Sequence, residues 1–372
     1  MIGKKITKIV SRIPLFYPYV PKKAILKEIA DTLNGCWLGQ GPKVEKFEKE
    51  FGDNFGYEYP LMVNSGTSAL ELAYHLIGLS KEDEVIVPIL NCTAGQMGLL
   101  RLGVKIIFAD IDKNLNLDPE DLEKKITKAT KAIVAVHLGG IPVDDNIFTI
   151  GKKYNIPVIT DSAQHHAKTQ GDYICYSFHA VKHITTCDGG MLVLKDQKTY
   201  KRAKLLRWFG IDRELKAKKN YQAWEHRQMT FDIEEPGFKF QPTDIDACFG
   251  LAALPDLKDV IKYRERLVDE YKRRLPKNIH VVAGGSYWLM GILVDRRDVL
   301  AEYLIKEGVD NNLIHLRNDI FKVFGGKRLN LPHMNEIEDK YLYLPLNTKV
   351  TVKDVRKICK LINEFYNRTT SI

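Results

Sequence analysis

The sequence predicts an α/β protein: a large domain built on a mostly parallel sheet flanked by helices, followed by a smaller α+β domain. Three observations carry that expectation. Four short apolar runs rich in β-branched residues, 84–88, 104–109, 132–136 and 156–160, alternate with longer segments of helical character, and such alternation buries a parallel sheet from both sides. The chain has 372 residues, more than one ordinary core supports. From about Tyr200 the alternation loosens: a helix over 244–254 stops before Pro255, a helix of alternating charge spans 260–275, and a short α+β region runs from Val281 onward. The division falls at residue 250, with 1–250 as the large domain, 251–372 as the small one, and the N-terminal segment folding back on either.

Within the large domain the elements follow in order. After Pro42, Val44, Phe47 and Phe51 share one face, as in an amphipathic helix. Asn64-Ser-Gly66-Thr67-Ser68 makes a small-residue turn into a helix through Leu76, with Leu70, Ala73, Tyr74 and Ile77 available to a buried face. The four strand-like runs come next, and Asp161 follows directly on the last. Met191-Leu-Val-Leu194 is a further apolar run, and a charged stretch from Arg207 to Arg227 reads as helix and loop.

Composition narrows the function classes. Hydrophobic content of 45% and charged content of 28% suit a soluble globular protein. The net charge is +9 and the pI ≈ 9.0, yet the lysines are spread without a basic block. Dispersed charge fits solubility, or attraction for a small anionic substrate, better than a nucleic-acid footprint. Residues 1–12 begin basic, but their apolar residues are interrupted and no small-residue cleavage site follows, so they do not read as a signal peptide. No run approaches the ~20 apolar residues of a membrane span. The six cysteines lie far apart, without zinc-site or disulfide-framework spacing, and reduced thiols in the cytoplasm are the simplest reading.

One segment concentrates chemical meaning: Tyr176-Ser177-Phe-His-Ala-Val-Lys182-His-Ile-Thr-Thr-Cys-Asp-Gly-Gly190. Alone, Lys182 is one of many solvated lysines. Its company suggests pyridoxal phosphate, which makes four demands. The cofactor aldehyde needs a lysine amine able to lose its proton, and Lys182 sits in a Gly-bounded loop where a side chain can point into a cleft. The ring nitrogen needs a carboxylate. Asp161 stands at the carboxyl end of a buried strand, where ligands gather in open α/β sheets, although an Asp there equally caps the following turn. Gln164, three residues on, is placed to contact the ring oxygen. The phosphate needs donors at a helix N-terminus. Residues 64–76 offer one, as an ordinary Ser/Thr-capped helix also would, and Ser177 can add a hydroxyl. The fourth demand, a cover for the ring's other face, finds no plain candidate.

Six segments, taken in order, resemble the sugar aminotransferases of the DegT/DnrJ/EryC1/StrS family: Cys36-Trp-Leu-Gly-Gln-Gly-Pro-Lys-Val44, Asn64-Ser-Gly-Thr-Ser-Ala-Leu70, Asp83-Glu-Val-Ile-Val-Pro88, Asp161-Ser-Ala-Gln164-His-His166, Ser177-Phe-His-Ala-Val-Lys182 and Gly237-Phe-Lys-Phe-Gln-Pro-Thr-Asp244. The resemblance extends to Leu344-Pro-Leu346 and covers nearly the whole chain. It implies the aspartate-aminotransferase-like fold (fold type I) and pyridoxal 5'-phosphate as cofactor. It further implies that Lys182 bonds the aldehyde and serves as acid and base, Asp161 pairs with the pyridinium nitrogen, Gln164 contacts the ring oxygen, and Gly66, Thr67 and Ser177 bind the phosphate. Family members are homodimers that share active sites. Lys239 occupies the position from which an asparagine commonly reaches the neighbouring subunit's phosphate, and Cys92 stands where many relatives carry an aromatic ring stacked on the cofactor. The stretch between His166 and Tyr176 is shorter than the family's loop, and His183 replaces a frequent asparagine.

The reaction so implied moves an amino group from L-glutamate to a keto-deoxysugar linked to a nucleoside diphosphate, for surface polysaccharide, lipopolysaccharide O-antigen or glycoside biosynthesis. A related branch, the sugar 3-dehydratases, has histidine in place of the lysine, and the retained Lys182 favours transamination. A binding paralogue without turnover is the alternative from another class, suggested by Cys92 and the short loop. Lys239, Arg207 and Arg317 are candidates for the diphosphate, each a surface charge unless it faces the cleft.

Overall fold

The computed structural model describes residues 12–212 and 232–369. Helices α1 (Lys22–Asn34) and α2 (Pro42–Phe55) lead into β1 (Tyr59–Val63) and α3 (Gly66–Ile77). Then come β2 (Glu84–Pro88), α4 (Ala94–Arg101), β3 (Lys105–Ala109), α5 (Pro119–Lys125), β4 (Thr130–Val136), α6 (Asn146–Tyr154), β5 (Val158–Asp161), β6 (Tyr173–Ser177), β7 (Gly190–Leu194) and α7 (Gln197–Leu206). The seven strands form one sheet in the order β1-β7-β6-β5-β4-β2-β3. β3, β2, β4, β5 and β6 are parallel, while β7 runs antiparallel to both β6 and β1.

Alternation along each strand feeds two cores. Val85 and Val87 of β2 join Leu70, Leu72 and Ala73 of α3 on one face. Ile86, between them, joins Ile133, Ala135, Ile147 and Ile150 on the other. That period of two is the pleat itself, and with both faces covered the strands read as continuous apolar runs. Val44, Phe47 and Phe51, predicted to share a helix face, are all buried against Met62, Tyr176 and Phe178.

The second part of the chain holds α8 (Asp244–Ala253), α9 (Leu257–Arg274), β8 (His280–Val282), β9 (Met290–Leu293), α10 (Arg297–Lys306), α11 (Pro332–Ile337), β10 (Tyr341–Leu344) and α12 (Val352–Thr369). Its antiparallel sheet has the order β10-β9-β8. A single 3-10 turn, Leu254–Asp256, carries Pro255 between α8 and α9, so the second helix starts at Leu257, ahead of the expected 260. Residue 250 falls inside α8, which packs on α1 and α2. Ile13 pairs with Val309 and lies in the small sheet's core.

Two of the recognised segments prove to be fastened to each other. The Asp244 carboxylate accepts from the backbone N–H groups of Gly41 (2.8 Å), Lys43 (3.1 Å) and Val44 (3.1 Å), satisfying the orphan donors that open α2. Thr243 and Asp246 form the capping box of α8. Residues 1–11 of the basic N-terminus, and the expected helix and loop from 213 to 227, lie outside the described residues. Among the described residues no helix is long and apolar enough to cross a membrane, no cluster of three or more His, Cys, Asp or Glu could hold a metal ion, and all six cysteines are free thiols.

Candidate active site

Because β2, β4, β5 and β6 are parallel, the loops leaving their carboxyl ends open on one edge of the sheet. Asn91 and Cys92 follow β2, the turn 137–140 follows β4, Asp161 to Gln164 end and follow β5, and the loop carrying Lys182 follows β6.

That last loop is closed at its base. Ser177 pairs with Gly190, Phe178 donates its N–H to Gly189 O (2.8 Å), and the Thr186 N–H and Thr185 hydroxyl both donate to Phe178 O (3.0 and 2.9 Å). Lys182 is thereby held half-buried, its Nζ 4.0 Å from the centre of the Trp288 ring. Burial pushes its pKa down to about 8, against the opposing pull of Asp161 and Cys92. At about pH 7.5 roughly a quarter of such amines are neutral, against about one in a thousand for an ordinary lysine.

Asp161 is the last residue of β5 rather than the first beyond it. It is buried, and its Oδ1 accepts from the Ala163 N–H at 3.0 Å. Among the described residues Oδ2 accepts no hydrogen bond. Burial raises its pKa, while the Ala163 N–H and the charge of Lys182 pull it down. A buried carboxylate with an oxygen to spare fits a protonated ring nitrogen, which would supply both the missing hydrogen bond and a compensating charge.

Two glycines seat the turn that opens α3. A Cβ on Gly66 would lie 2.7 Å from Ser177 Cβ, and one on Gly190 would lie 2.4 Å from Ser65 O and 2.7 Å from Gly66 N. Only without side chains can the first turn of α3 rest on the Ser177–Gly190 pair. Ser65 caps that turn by accepting from the Ser68 N–H (3.0 Å), which leaves the N–H groups of Gly66 and Thr67 without helical partners, beside the Ser177 hydroxyl. Gly190→Ala is expected to lower stability by about 1–3 kcal/mol through overpacking, and thermal unfolding would show it.

The Gln164 amide is aimed from both ends. Its Oε1 accepts from the Gly139 N–H (2.7 Å) and its amide NH2 donates to His315 Nε2 (3.0 Å). Burial and the charge of Lys182 push His315 down to about 3, so this imidazole is neutral and accepts. His166, also pushed down to about 3 by burial, donates to Ser177 O (2.8 Å), and His183 donates to Ser286 O (2.7 Å). His183 therefore anchors the lysine loop to the second part of the chain. Cys92 is half-buried and lies within electrostatic reach of Lys182.

The three expected anion ligands differ in their surroundings. Lys239 is exposed, with its ammonium 3.9 Å from the centre of the Trp208 ring, although its backbone O accepts from the Asn64 amide (3.2 Å) beside the α3 turn. Arg207 and Arg317 correct the sequence expectation: both are buried ion-pair residues and not diphosphate ligands. Arg207 donates to Glu48 (2.6 Å) and Met62 O (2.7 Å). Arg317 grips Asp319 with two bonds (2.7 and 2.6 Å) and reaches Glu338 (2.9 Å). Arg207→Met, which strands Glu48, is expected to cost about 3–5 kcal/mol of folding stability. Denaturant unfolding would register that loss, and KM would not change.

Sequence reasoning missed Trp288 and His315. Neither sits in a segment with catalytic spacing, and the one available signal was the Gly284-Gly285 pair ahead of Trp288, which marks a close backbone approach.

Comparison with known proteins identifies a family and similar folds. The DegT/DnrJ/EryC1/StrS aminotransferase family matches over residues 21–363. The chain is 30% identical to the spore coat polysaccharide biosynthesis protein SpsC of Bacillus subtilis (strain 168), over 95% of this chain and 96% of that protein. It is also 30% identical to GDP-perosamine synthase of Escherichia coli O157:H7, over 95% of this chain and 99% of that one. Among solved structures, AtS13 from Actinomadura melliaura superposes with a TM-score of 0.87 at 30% identity, covering 95% of this chain and 99% of its own.

Proposed function

Because the chain belongs to the DegT/DnrJ/EryC1/StrS aminotransferase family, we propose that it transfers an amino group from L-glutamate to a keto-deoxysugar carried on a nucleoside diphosphate, in the cytoplasm, for a surface polysaccharide, O-antigen or other glycoside. It is a pyridoxal-phosphate-dependent enzyme, as members of the family are. The observation that carries the reading is the pairing of a Lys182 pushed down to about 8 with a buried Asp161 on one edge of the sheet. The names of two relatives, one for polysaccharide biosynthesis and one for GDP-perosamine synthesis, favour a nucleotide-linked sugar as acceptor.

Bound, the cofactor supplies an electron sink next to the reacting carbon. Lys182 would bond the cofactor's aldehyde and, as a free amine, would move a proton between the donor's α-carbon and the cofactor carbon beside it. With the keto sugar the same amine moves the proton in the opposite direction. Asp161 would hold the ring nitrogen in its charged form, Gln164 the ring oxygen, and Gly66, Thr67 and Ser177 the phosphate, with Cys92 at a ring face. Each transfer begins with a neutral amine that takes a proton and ends with the ammonium that gives it up, and a lysine held near 8 has both forms within reach at neutral pH.

A homodimer with shared sites completes the proposal. Leu26 and Leu33 on α1, with Trp37 and Leu38 just beyond it, are exposed apolar residues, the kind of patch a second copy covers. Lys239, beside the α3 turn on the outside, would approach the partner's phosphate. The assay is a panel of dTDP-, UDP- and GDP-linked 3-keto and 4-keto sugars with L-glutamate and cofactor, read by mass spectrometry. The expected result is one aminated nucleotide sugar with matching formation of 2-oxoglutarate. Amination from other donors only, or of no nucleotide sugar, would overturn the proposal.

A further inference from the structure

Trp288 stands outside the residues assigned above, yet its ring is the surface on which the Lys182 amine rests, 4.0 Å from centre to Nζ. That is within the range of a cation–π contact. The buried indole is fixed in three ways. Its N–H donates to Val181 O at 3.0 Å, the carbonyl immediately before the lysine. Phe16 stacks on it with ring centres 5.5 Å apart and planes 28° from parallel. The backbone N–H groups of Trp288 and Leu289 both donate to Gly139 O, at 3.0 and 2.9 Å. This last docking needs glycine next door: Gly140 has φ +92°, and a Cβ there would lie 2.8 Å from Trp288 N. Phe16 is itself tied down, because the Asn347 amide donates to Pro14 O (2.8 Å) and Leu15 O (3.2 Å). The lysine comes from the large sheet and the indole from the stretch just before β9, so tertiary docking creates their contact.

A lysine that is released each time a substrate amine takes its place has many rotamers open to it, and it must return to one position to move a proton. We propose that Trp288 is the resting place of the Lys182 ammonium whenever the lysine is not bonded to the cofactor, a positioning residue that keeps the amine in the site and tunes how readily it gives up its proton. The inference rests on Lys182 being the cofactor lysine and on nothing about the sugar.

The charges around the amine sharpen the expected effect. Asp161 and Cys92 favour its protonated form. His166 and His315, both within electrostatic reach, are neutral, held so by burial first and by the charge of Lys182 as well. The indole acts in two opposing ways: its bulk keeps water out, which favours the neutral amine, and its π face attracts the ammonium. Leucine at 288 stays apolar and loses the face along with part of the bulk, whereas phenylalanine retains more of the bulk and a weaker face.

The test uses the full-length protein freed of cofactor. Brief acetylation across about pH 6 to 10, with the Lys182 peptide quantified by mass spectrometry against an exposed lysine, gives the midpoint at which Lys182 becomes reactive. W288L should lower that midpoint by about one pH unit, and W288F by less. A midpoint unmoved in folded W288L, or equal shifts in W288L and W288F, would reduce Trp288 to a plug and overturn the proposal. Should W288L fail to fold, W288F decides: a downward shift supports the proposal and an unmoved midpoint rejects it. Failure of the cofactor-lysine assignment is separately visible, since borohydride reduction of the loaded protein would then label a different residue.

Discussion

Lys182→Ala leaves a protein that folds, shows no absorbance band from lysine-bound cofactor, and transfers amine at least about 10³- to 10⁴-fold more slowly, the scale of a lost general acid–base group. The reasoning starts from the loop. Ser177, Phe178 and Gly189 close its base through backbone bonds and the Thr185 and Thr186 contacts, none of which involves the lysine side chain, so truncation should spare the fold. The chemistry has no substitute within reach. His166 and His315 are pushed down to about 3 by burial, and they can neither bond an aldehyde stably nor carry a proton at neutral pH. A pH dependence goes with the same residue. The amine attacks only when deprotonated, so attachment of cofactor to the wild-type protein should accelerate as pH rises toward about 8 and level off above it. A stopped-flow absorbance series across pH would show the rise. An ordinary lysine would still be accelerating two units higher.

Asp161→Asn separates holding the cofactor from using it. Asparagine preserves the shape and can still accept from the Ala163 N–H, so cofactor should remain attached to Lys182 with its band intact. The charge that keeps the ring nitrogen protonated is lost, and amine transfer should fall by about 10²- to 10³-fold, the usual loss for one preorganised electrostatic group in a buried site. A second consequence has a fixed sign. Asp161 is the carboxylate that raises the pKa of Lys182, so removing it lowers that pKa further, and the pH midpoint for attachment moves down. Near wild-type transfer in this variant would mean that Asp161 only caps the turn after β5.

What could be read from the chain divides along physical lines. β2 matches its predicted run residue for residue, because a strand buried on both faces leaves an uninterrupted apolar signal. β7 is antiparallel to β6, and nothing in Met191-Leu-Val-Leu194 alone records direction, which follows from the hairpin loop that carries Lys182. The contact of Gly66 with Ser177 was legible because local spacing and the need for glycine are written into short segments. Trp288 and His315 were not, since each meets the site across more than a hundred residues of chain through docking of the second part on the 139–140 turn. Arg207 and Arg317 show the opposite error. A sequence displays an arginine's charge but not its carboxylate partner, and here Glu48, Asp319 and Glu338 had already engaged both. Asp244, read as part of a motif near the phosphate, turned out to cap the N-terminus of α2, a structural reason for that motif to accompany Gly41-Pro42.

The central claim is that Lys182 is the residue that bonds the cofactor, and borohydride reduction tests it most directly. Reduction of the cofactor-loaded protein fixes the cofactor to whichever lysine it has bonded, and peptide mapping by mass spectrometry locates the added pyridoxyl phosphate mass. The account predicts that mass on the peptide containing Lys182, and its absence in Lys182→Ala. The mass on any other lysine, or on none in protein that has bound cofactor, would contradict it.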